Sequence, residues 1–221
     1  MIDICVTHFG NKYSSKYIVN LENGISRNYS GDFNLIIKTD CPNGHWDKIS
    51  FLECDKPRII MDIDFVINGN LDDLINYKVA PNSLAAFPRW WRQGGCKING
   101  GFYKVNPGSN ILNIVDKFYS DPEFWIEHYG KLVGTPGMGE QNFIEDSVYY
   151  LDYLPGAWLG IHTEGSARYN KNILNKYYDS YGLPLMKQNK FNDSIKLIHF
   201  IYSDNMIEDK PQWIQDLWNT T

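Results

Sequence analysis

Two acids break an apolar run at Ile59-Ile60-Met61-Asp62-Ile63-Asp64-Phe65-Val66-Ile67. An unpaired carboxylate among apolar side chains is costly, so this segment demands donors or a cation beside it. The stretch Arg58–Asp62 reads as a strand. On a strand, Asp62 and Asp64 would point the same way, about 7 Å apart at roughly 3.3 Å per residue. Such a pair can cap a loop at the strand end. It can also share a hard divalent ion with diphosphate oxygens, a ligand set that suits Mg2+ or Mn2+.

The rest of the chain supplies the frame for that strand. Ile2–Thr7 and Asn34–Thr39 are short β-branched runs closed by turn residues, as expected of strands buried in a mainly parallel sheet. Helices are expected at Tyr13–Asn20, Asn70–Tyr77 and Gly139–Tyr150. Another is expected at Ser109–Tyr119, where Ile111, Ile114, Val115 and Phe118 keep helical spacing. Further strands are expected at Asn99–Asn106 and Lys196–Phe200, with a short helix at Gln212–Trp218. Gly130–Gly139 reads as a glycine-rich loop. The order predicts an α/β fold, a mainly parallel sheet flanked by helices, in one domain over residues 1–221. Ligands in such sheets sit beyond the carboxyl ends of the strands. Thr7–His8, Thr39–Asp40 and Asp62–Asp64 fall there.

Composition removes several classes of function. The net charge is -5 and there is no long basic run, so a nucleic-acid partner is not expected. No apolar stretch approaches the roughly 20 residues of a membrane span, and the reading is a cytoplasmic protein. The 4 cysteines have no CxxC spacing, so neither a zinc site nor a disulfide framework is signalled. With 7 Trp and 15 Tyr, aromatic side chains serve the core, stacking against sugar or base, or both. Trp90-Trp91 reads as a packed loop or as part of an acceptor groove.

Five motifs in order give the chain a family resemblance. Met61-Asp62-Ile63-Asp64 is followed by Gly69-Asn70-Leu71-Asp72-Asp73-Leu74, then by Ile98-Asn99-Gly100-Gly101-Phe102. Glu140-Gln141 comes next, and His199-Phe200 with Lys210-Pro211 and Trp213 comes last. In this order they resemble the DxD, "GNLDEL", "FNSG", acid-Gln and "HF-G--KPW" motifs of glycosyltransferase family 8, which includes glycogenin and bacterial galactosyltransferases. Four departures stand out: Gly100 replaces Ser, the gap from His199 to Lys210 is long, Gln212 precedes the Trp, and the glycine of the last motif is absent.

The resemblance implies a GT-A fold of the Rossmann-like nucleotide-diphospho-sugar transferase type. It implies transfer of a sugar from a donor, UDP-linked by preference, to an acceptor hydroxyl in carbohydrate biosynthesis, with retained configuration. Asp62, Asp64 and His199 would hold Mn2+ or Mg2+, with Asp62 also near the ribose. Lys210 would bind the diphosphate. Thr7, His8 and Tyr13, with Asp40 nearby, would take the base. Asn99, Glu140 and Gln141 would face the donor sugar. The polar Asn205–Trp213 segment would order over the diphosphate when donor binds. By themselves, His199 also fits a strand-buried imidazole and Glu140-Gln141 a solvated helix start. Asp62-Ile63-Asp64-Phe65-Val66 also fits the nucleophile motif of haloacid-dehalogenase phosphatases. A non-catalytic carbohydrate-binding protein is the third reading.

Overall fold

The computed structural model describes residues 1–89, 91, 95–162, 195–200 and 206–220. Its contacts divide the chain into two compact units. The first comprises Met1–Lys12, Asp32–Asp62 and Tyr77–Leu154, and the second Tyr13–Gly31, Ile63–Asn76 and Pro155–Thr221.

The first unit is built on a six-stranded sheet of β1 (Ile2–Thr7), β2 (Phe33–Lys38), β3 (Arg58–Met61), β5 (Ser83–Pro88), β6 (Ile98–Asn106) and β7 (Leu151–Tyr153). The strand order is β2-β1-β3-β6-β5-β7. The β1–β2, β1–β3 and β5–β7 pairings are parallel, whereas β6 runs antiparallel to both its neighbours, β3 and β5. The four interior residues of β1 are buried, as an apolar strand flanked on both sides requires. Edge strand β2 is only half-buried.

Helices α3 (Ser109–Ser120), α4 (Pro122–Val133) and α5 (Glu140–Ser147) belong to this unit, as does a 3-10 helix over Gly44–Leu52. Its core runs from Cys5 and Ile60 on the sheet to Trp46, Ile111, Phe118 and Phe143. Ile111, Ile114, Val115 and Phe118 are all buried, as their spacing predicts. Trp46 stacks on Phe118 with centroids 5.5 Å apart, and its Nε1 donates to the Gly137 carbonyl at 2.7 Å.

The expected loop over Gly130–Gly139 is instead helical up to Val133. Asp121 caps α4 by accepting from the Phe124 N–H at 3.1 Å, Pro122 opens it, and Gly134 ends it in the left-handed region. Gly130 lies inside the helix because a β-carbon there would meet the Gly137 nitrogen at 3.1 Å. It is a close-approach glycine and not a turn signal, which is why the composition misleads.

The second unit holds α1 (Ser15–Asn28), α2 (Asp72–Ile75) and α6 (Gln212–Asn219). It also holds a small sheet of β4 (Val66–Ile67), β9 (Leu197–Phe200) and β8 (Leu159–His162) in that order. Gly24 of α1 lets Ile67 approach, since a β-carbon would lie 3.1 Å from Ile67 Cδ1. The expected helix over Asn70–Tyr77 is shorter, Asp72–Ile75. Its opening is a turn: Asn70 Oδ1 accepts from the Asp72 N–H at 2.8 Å. Asp72 Oδ1 in turn accepts from the Ser30 N–H at 2.8 Å, and the Leu71 N–H donates to the Asn28 carbonyl at 2.7 Å. The Gly-Asn-Leu-Asp motif thus ties this turn to the end of α1. Lys196 adds a donor to the Asn70 carbonyl at 2.7 Å. No described helix is long and apolar enough to cross a membrane.

Replacing Trp46 by Phe removes the bond to Gly137 and leaves a void beside Phe118 and Phe143. The expected loss is roughly 2 kcal/mol of unfolding free energy in urea. A loss below roughly 0.5 kcal/mol would show that Trp46 is not central to this core.

Candidate functional site

The strand carrying the two acids ends one residue earlier than expected. β3 stops at Met61, and residues 62–65 form a turn. Asp62 and Asp64 are therefore not alternate residues of one strand, and the same-side argument for them does not hold. The reason is local: the last tie of this segment to β6 is the Asp62 N–H to the Gly101 carbonyl at 2.8 Å. Beyond it, Ile63 and Phe65 are both buried.

In the first unit, Asp62 belongs to a polar cluster built at the start of β6. Lys48, from the 3-10 helix, places its ammonium 2.6 Å from Asp62 Oδ1. The same ammonium donates to the Gly100 carbonyl at 3.0 Å and lies 3.9 Å from Glu140 Oε2. Tyr103 of β6 donates its hydroxyl to Glu140 Oε1 at 3.1 Å. Gln141 Oε1 accepts from the Gly100 N–H at 3.0 Å, and Asn99 Oδ1 accepts from the Gly101 N–H at 3.0 Å. The backbone of Gly100 and Gly101 is thus tied on all four polar atoms.

Glu140 opens α5 but is only 4% exposed, so the reading of a solvated helix start is set aside. Burial pushes its carboxyl up to about 7, against the opposing pull of the Lys48 ammonium. Burial also holds the Tyr103 phenol well above its ordinary range, reinforced by the Glu140 charge. His45, three residues before Lys48, is pushed down to about 4 by burial and then by the Lys48 charge. Thr7 closes β1, and the His8 N–H after it donates to the Lys38 carbonyl at 2.9 Å. Asp40, after β2, is exposed.

The second unit carries the other residues expected in a donor site. Tyr13 donates its hydroxyl to Asp64 Oδ2 at 2.8 Å, and its ring lies 4.7 Å from that of Tyr17. His199 on β9 sets its ring 5.4 Å from Phe65. Lys210 is 4% exposed, with its ammonium 5.3 Å from the Phe200 ring. Burial lowers its affinity for a proton, while the charges of Asp209 and Asp64 raise it. His162 at the end of β8 lies edge-on to Phe200 at 5.8 Å and to Trp213 at 6.3 Å. Burial, with the Lys210 charge, pushes His162 down to about 4.

Asn205, the first residue of the segment expected to order over a diphosphate, lies outside the described residues, as does Trp90. The part from Met206 onward is packed. Ile207 is buried, and the Tyr17 hydroxyl accepts from the Ile207 N–H at 2.9 Å while donating to Glu208 at 2.8 Å.

Among the described residues, no three His, Cys, Asp or Glu side chains gather into a metal-ligating cluster. The donor chemistry nonetheless fits a hard divalent ion. Lys48 engages Oδ1 of Asp62 and Tyr13 engages Oδ2 of Asp64, so the other oxygen of each carboxylate is not used by these bonds. Sequence reasoning did not find Lys48, Tyr103 or His162. Lys48 stands between Asp47 and Ile49 in a segment with no motif, and its carboxylate partners lie 14 and 92 positions away.

No family model matches this sequence, and no curated protein matches it either. The fold has clear counterparts among solved structures. The galactosyltransferase LgtC, solved with donor and acceptor sugar analogues, superposes with a TM-score of 0.59 at 11% identity, over 98% of this chain and 95% of that one. GlyE, a glycosyltransferase of Streptococcus pneumoniae, gives 0.62 at 13% identity, covering 100% of this chain and 62% of its own. WbbM, a bifunctional glycosyltransferase, gives 0.61 at 9% identity, covering 100% of this chain and 50% of its own. The protein has the GT-A glycosyltransferase fold.

The raised carboxyl of Glu140 makes folding stability depend on pH. Its folded value, about 7, lies above its ordinary 4.5, so the folded state holds this proton more tightly. The stabilisation is fully present below about 4.5 and is lost as pH rises to about 7. One such proton changes stability by at most about 1.4 kcal/mol per pH unit within that window. Glu140→Gln is expected to flatten the fall of Tm between those limits. An unchanged slope would remove Glu140 as the titrating group.

Proposed function

We propose that the protein is a glycosyltransferase that moves a sugar from a nucleoside-diphosphate sugar, UDP-linked by preference, to an acceptor hydroxyl. The observation that carries this reading is the cluster of buried Lys48 and Glu140 with half-buried Asp62 and Gln141 around the first residues of β6, on a GT-A fold. The name LgtC supports galactosyl transfer by that protein, and a separate structure of LgtC is described as an active-site glutamine mutant. Gln141 is the glutamine proposed for the equivalent place here. The phosphatase reading loses its support, since its motif would sit on a different fold. The carbohydrate-binding reading leaves this cluster without a role.

In this reading Asp62, Asp64 and His199 would hold a divalent ion, Mn2+ or Mg2+, which would supply a Lewis acid to the diphosphate. The chain's own groups do the rest. Lys48 draws Asp62 into one orientation, so the carboxylate presents the same oxygen whenever donor arrives. Tyr13 does the same for Asp64. Lys210 supplies a positive charge to the diphosphate, and its burial strengthens that attraction by excluding water. Thr7, His8 and Tyr13, with Asp40 nearby, form the base end. Asn99 braces the Gly101 backbone, while Gln141 and Glu140 face the sugar. Glu140 has a value near neutrality, so it can carry a proton at its buried carboxyl. No strong base is needed for attack from the face of departure, and configuration is retained.

Thermal melting with UDP tests the metal role. A ligand at about 100 times its Kd stabilises the folded state by about 2.7 kcal/mol. UDP with Mn2+ is expected to raise Tm far more than UDP with EDTA, and equal shifts would remove the metal role. Asp64→Asn is expected to abolish UDP release from UDP-sugars while the far-ultraviolet circular dichroism stays unchanged. Full activity in that variant would sink the assignment of Asp64.

A further inference from the structure

Gly100 has a backbone that any residue adopts; it is absent from the positive-φ glycines. Its identity is explained by its surroundings. A β-carbon at this position would stand 2.9 Å from Gln141 Cβ, 3.0 Å from Gln141 Oε1 and 3.1 Å from Glu140 Oε2. The first of these is too close for any carbon pair, and Gln141 Cβ is not the free end of a flexible chain. The same residue donates its N–H to Gln141 Oε1 at 3.0 Å and accepts from Lys48 through its carbonyl.

Helix α5 has no side-chain cap at its N-terminus. Its first turn is tied to β6 through Glu140 on Tyr103 and through Gln141 on Gly100. The missing side chain at Gly100 is what lets that turn close on the strand. The N–H of Gly100 also fixes the sense of the Gln141 amide. A backbone N–H can be met only by Oε1, so the NH2 end is the one left to face outward.

We propose that Gly100 is a positioning residue of the transfer reaction, which sets the depth of Glu140 and Gln141 against β6 and presents Gln141 as a hydrogen-bond donor. The partner of that NH2 is an acceptor oxygen, such as a hydroxyl or ring oxygen of the donor sugar. This rests on the glycosyltransferase reading above. Gly100 acts through Gln141 and does not itself touch the sugar.

The test compares Gly100→Ala, Gly134→Ala, Gln141→Ala and the Gly100→Ala/Gln141→Ala double variant for UDP release from UDP-glucose, UDP-galactose and UDP-N-acetylglucosamine with Mn2+. Gly100→Ala is expected to lower kcat roughly 10- to 100-fold, the cost of a misplaced group near the reacting centre. The donor KM should stay within about threefold, since binding common to ground and transition states is not removed. Gly134→Ala is the control. Its glycine has a φ of 71° with nothing within 4 Å of an added β-carbon, so it strains the backbone away from this cluster. It is expected to lower Tm and to keep kcat. Adding Gln141→Ala to Gly100→Ala should lower kcat little further, because both act on one group.

Gly100→Ala with the kcat of Gly134→Ala, or independent effects that multiply, would overturn the proposal. If Gly100→Ala fails to fold, Gln141→Glu decides. It keeps an acceptor for the Gly100 N–H but replaces the NH2 by a second acceptor, and full kcat in that variant overturns the proposal. A wild-type protein that releases UDP from none of these donors sinks the glycosyltransferase reading, and this inference with it.

Discussion

The ammonium of Lys48 is the charge on which the first unit's polar cluster depends. Its side chain is only 6% exposed, and it meets Asp62, the Gly100 carbonyl and, more distantly, Glu140. Without it, two carboxylates and a carbonyl would share a poorly hydrated space with no cation. The Asp62 side chain is 34% exposed, so water shares its charge with Lys48, whereas Glu140 is almost fully enclosed. One ammonium cannot fully balance two carboxylates. The closer one, Asp62, has the ion pair, and the buried Glu140 retains a proton to near neutrality. The cluster is therefore both a fold element and a reservoir for one proton.

The reversed strand β6 gives this cluster its shape. Its first residues receive side chains from the 3-10 helix and from α5, and they bond the backbone of the acid-bearing turn. Gly100 makes that density of contacts feasible, since a β-carbon there would stand 2.9 Å from Gln141 Cβ. Close approach of this kind recurs at Gly24, Gly130 and Gly139. A β-carbon on Gly139 would lie 2.7 Å from Tyr129 Cβ. Several glycines here serve packing, and in such places a glycine-rich stretch does not mark a loop.

The second unit treats its ionisable groups differently. Lys210 lies among aromatic faces, with Phe200 beneath its ammonium, and His162 beside it stays neutral at physiological pH. Tyr17 joins α1 to the Ile207–Glu208 backbone and side chain. These bonds tie the backbone just before Lys210 to Tyr17 of α1.

What the sequence determined by itself was the periodic and the ordered. The apolar runs of β1, β3 and β9 and the helical spacing of α3 follow from burying apolar side chains at fixed repeats. The order of the DxD, Gly-Asn-Leu-Asp, Asn-Gly-Gly and Glu-Gln segments pointed to the GT-A fold. Asp62, Glu140 and Gln141 were legible because each sits in one of those segments. Lys48 and Tyr103 were not, because their partners are remote in sequence and a lone lysine or tyrosine carries no period. Only the tertiary structure decided that the acid pair lies in a turn, that Glu140 is buried, and that Gly100 must be glycine. Each of these depends on how closely two segments approach, and a separation of a few tenths of an ångström leaves no mark on local pattern.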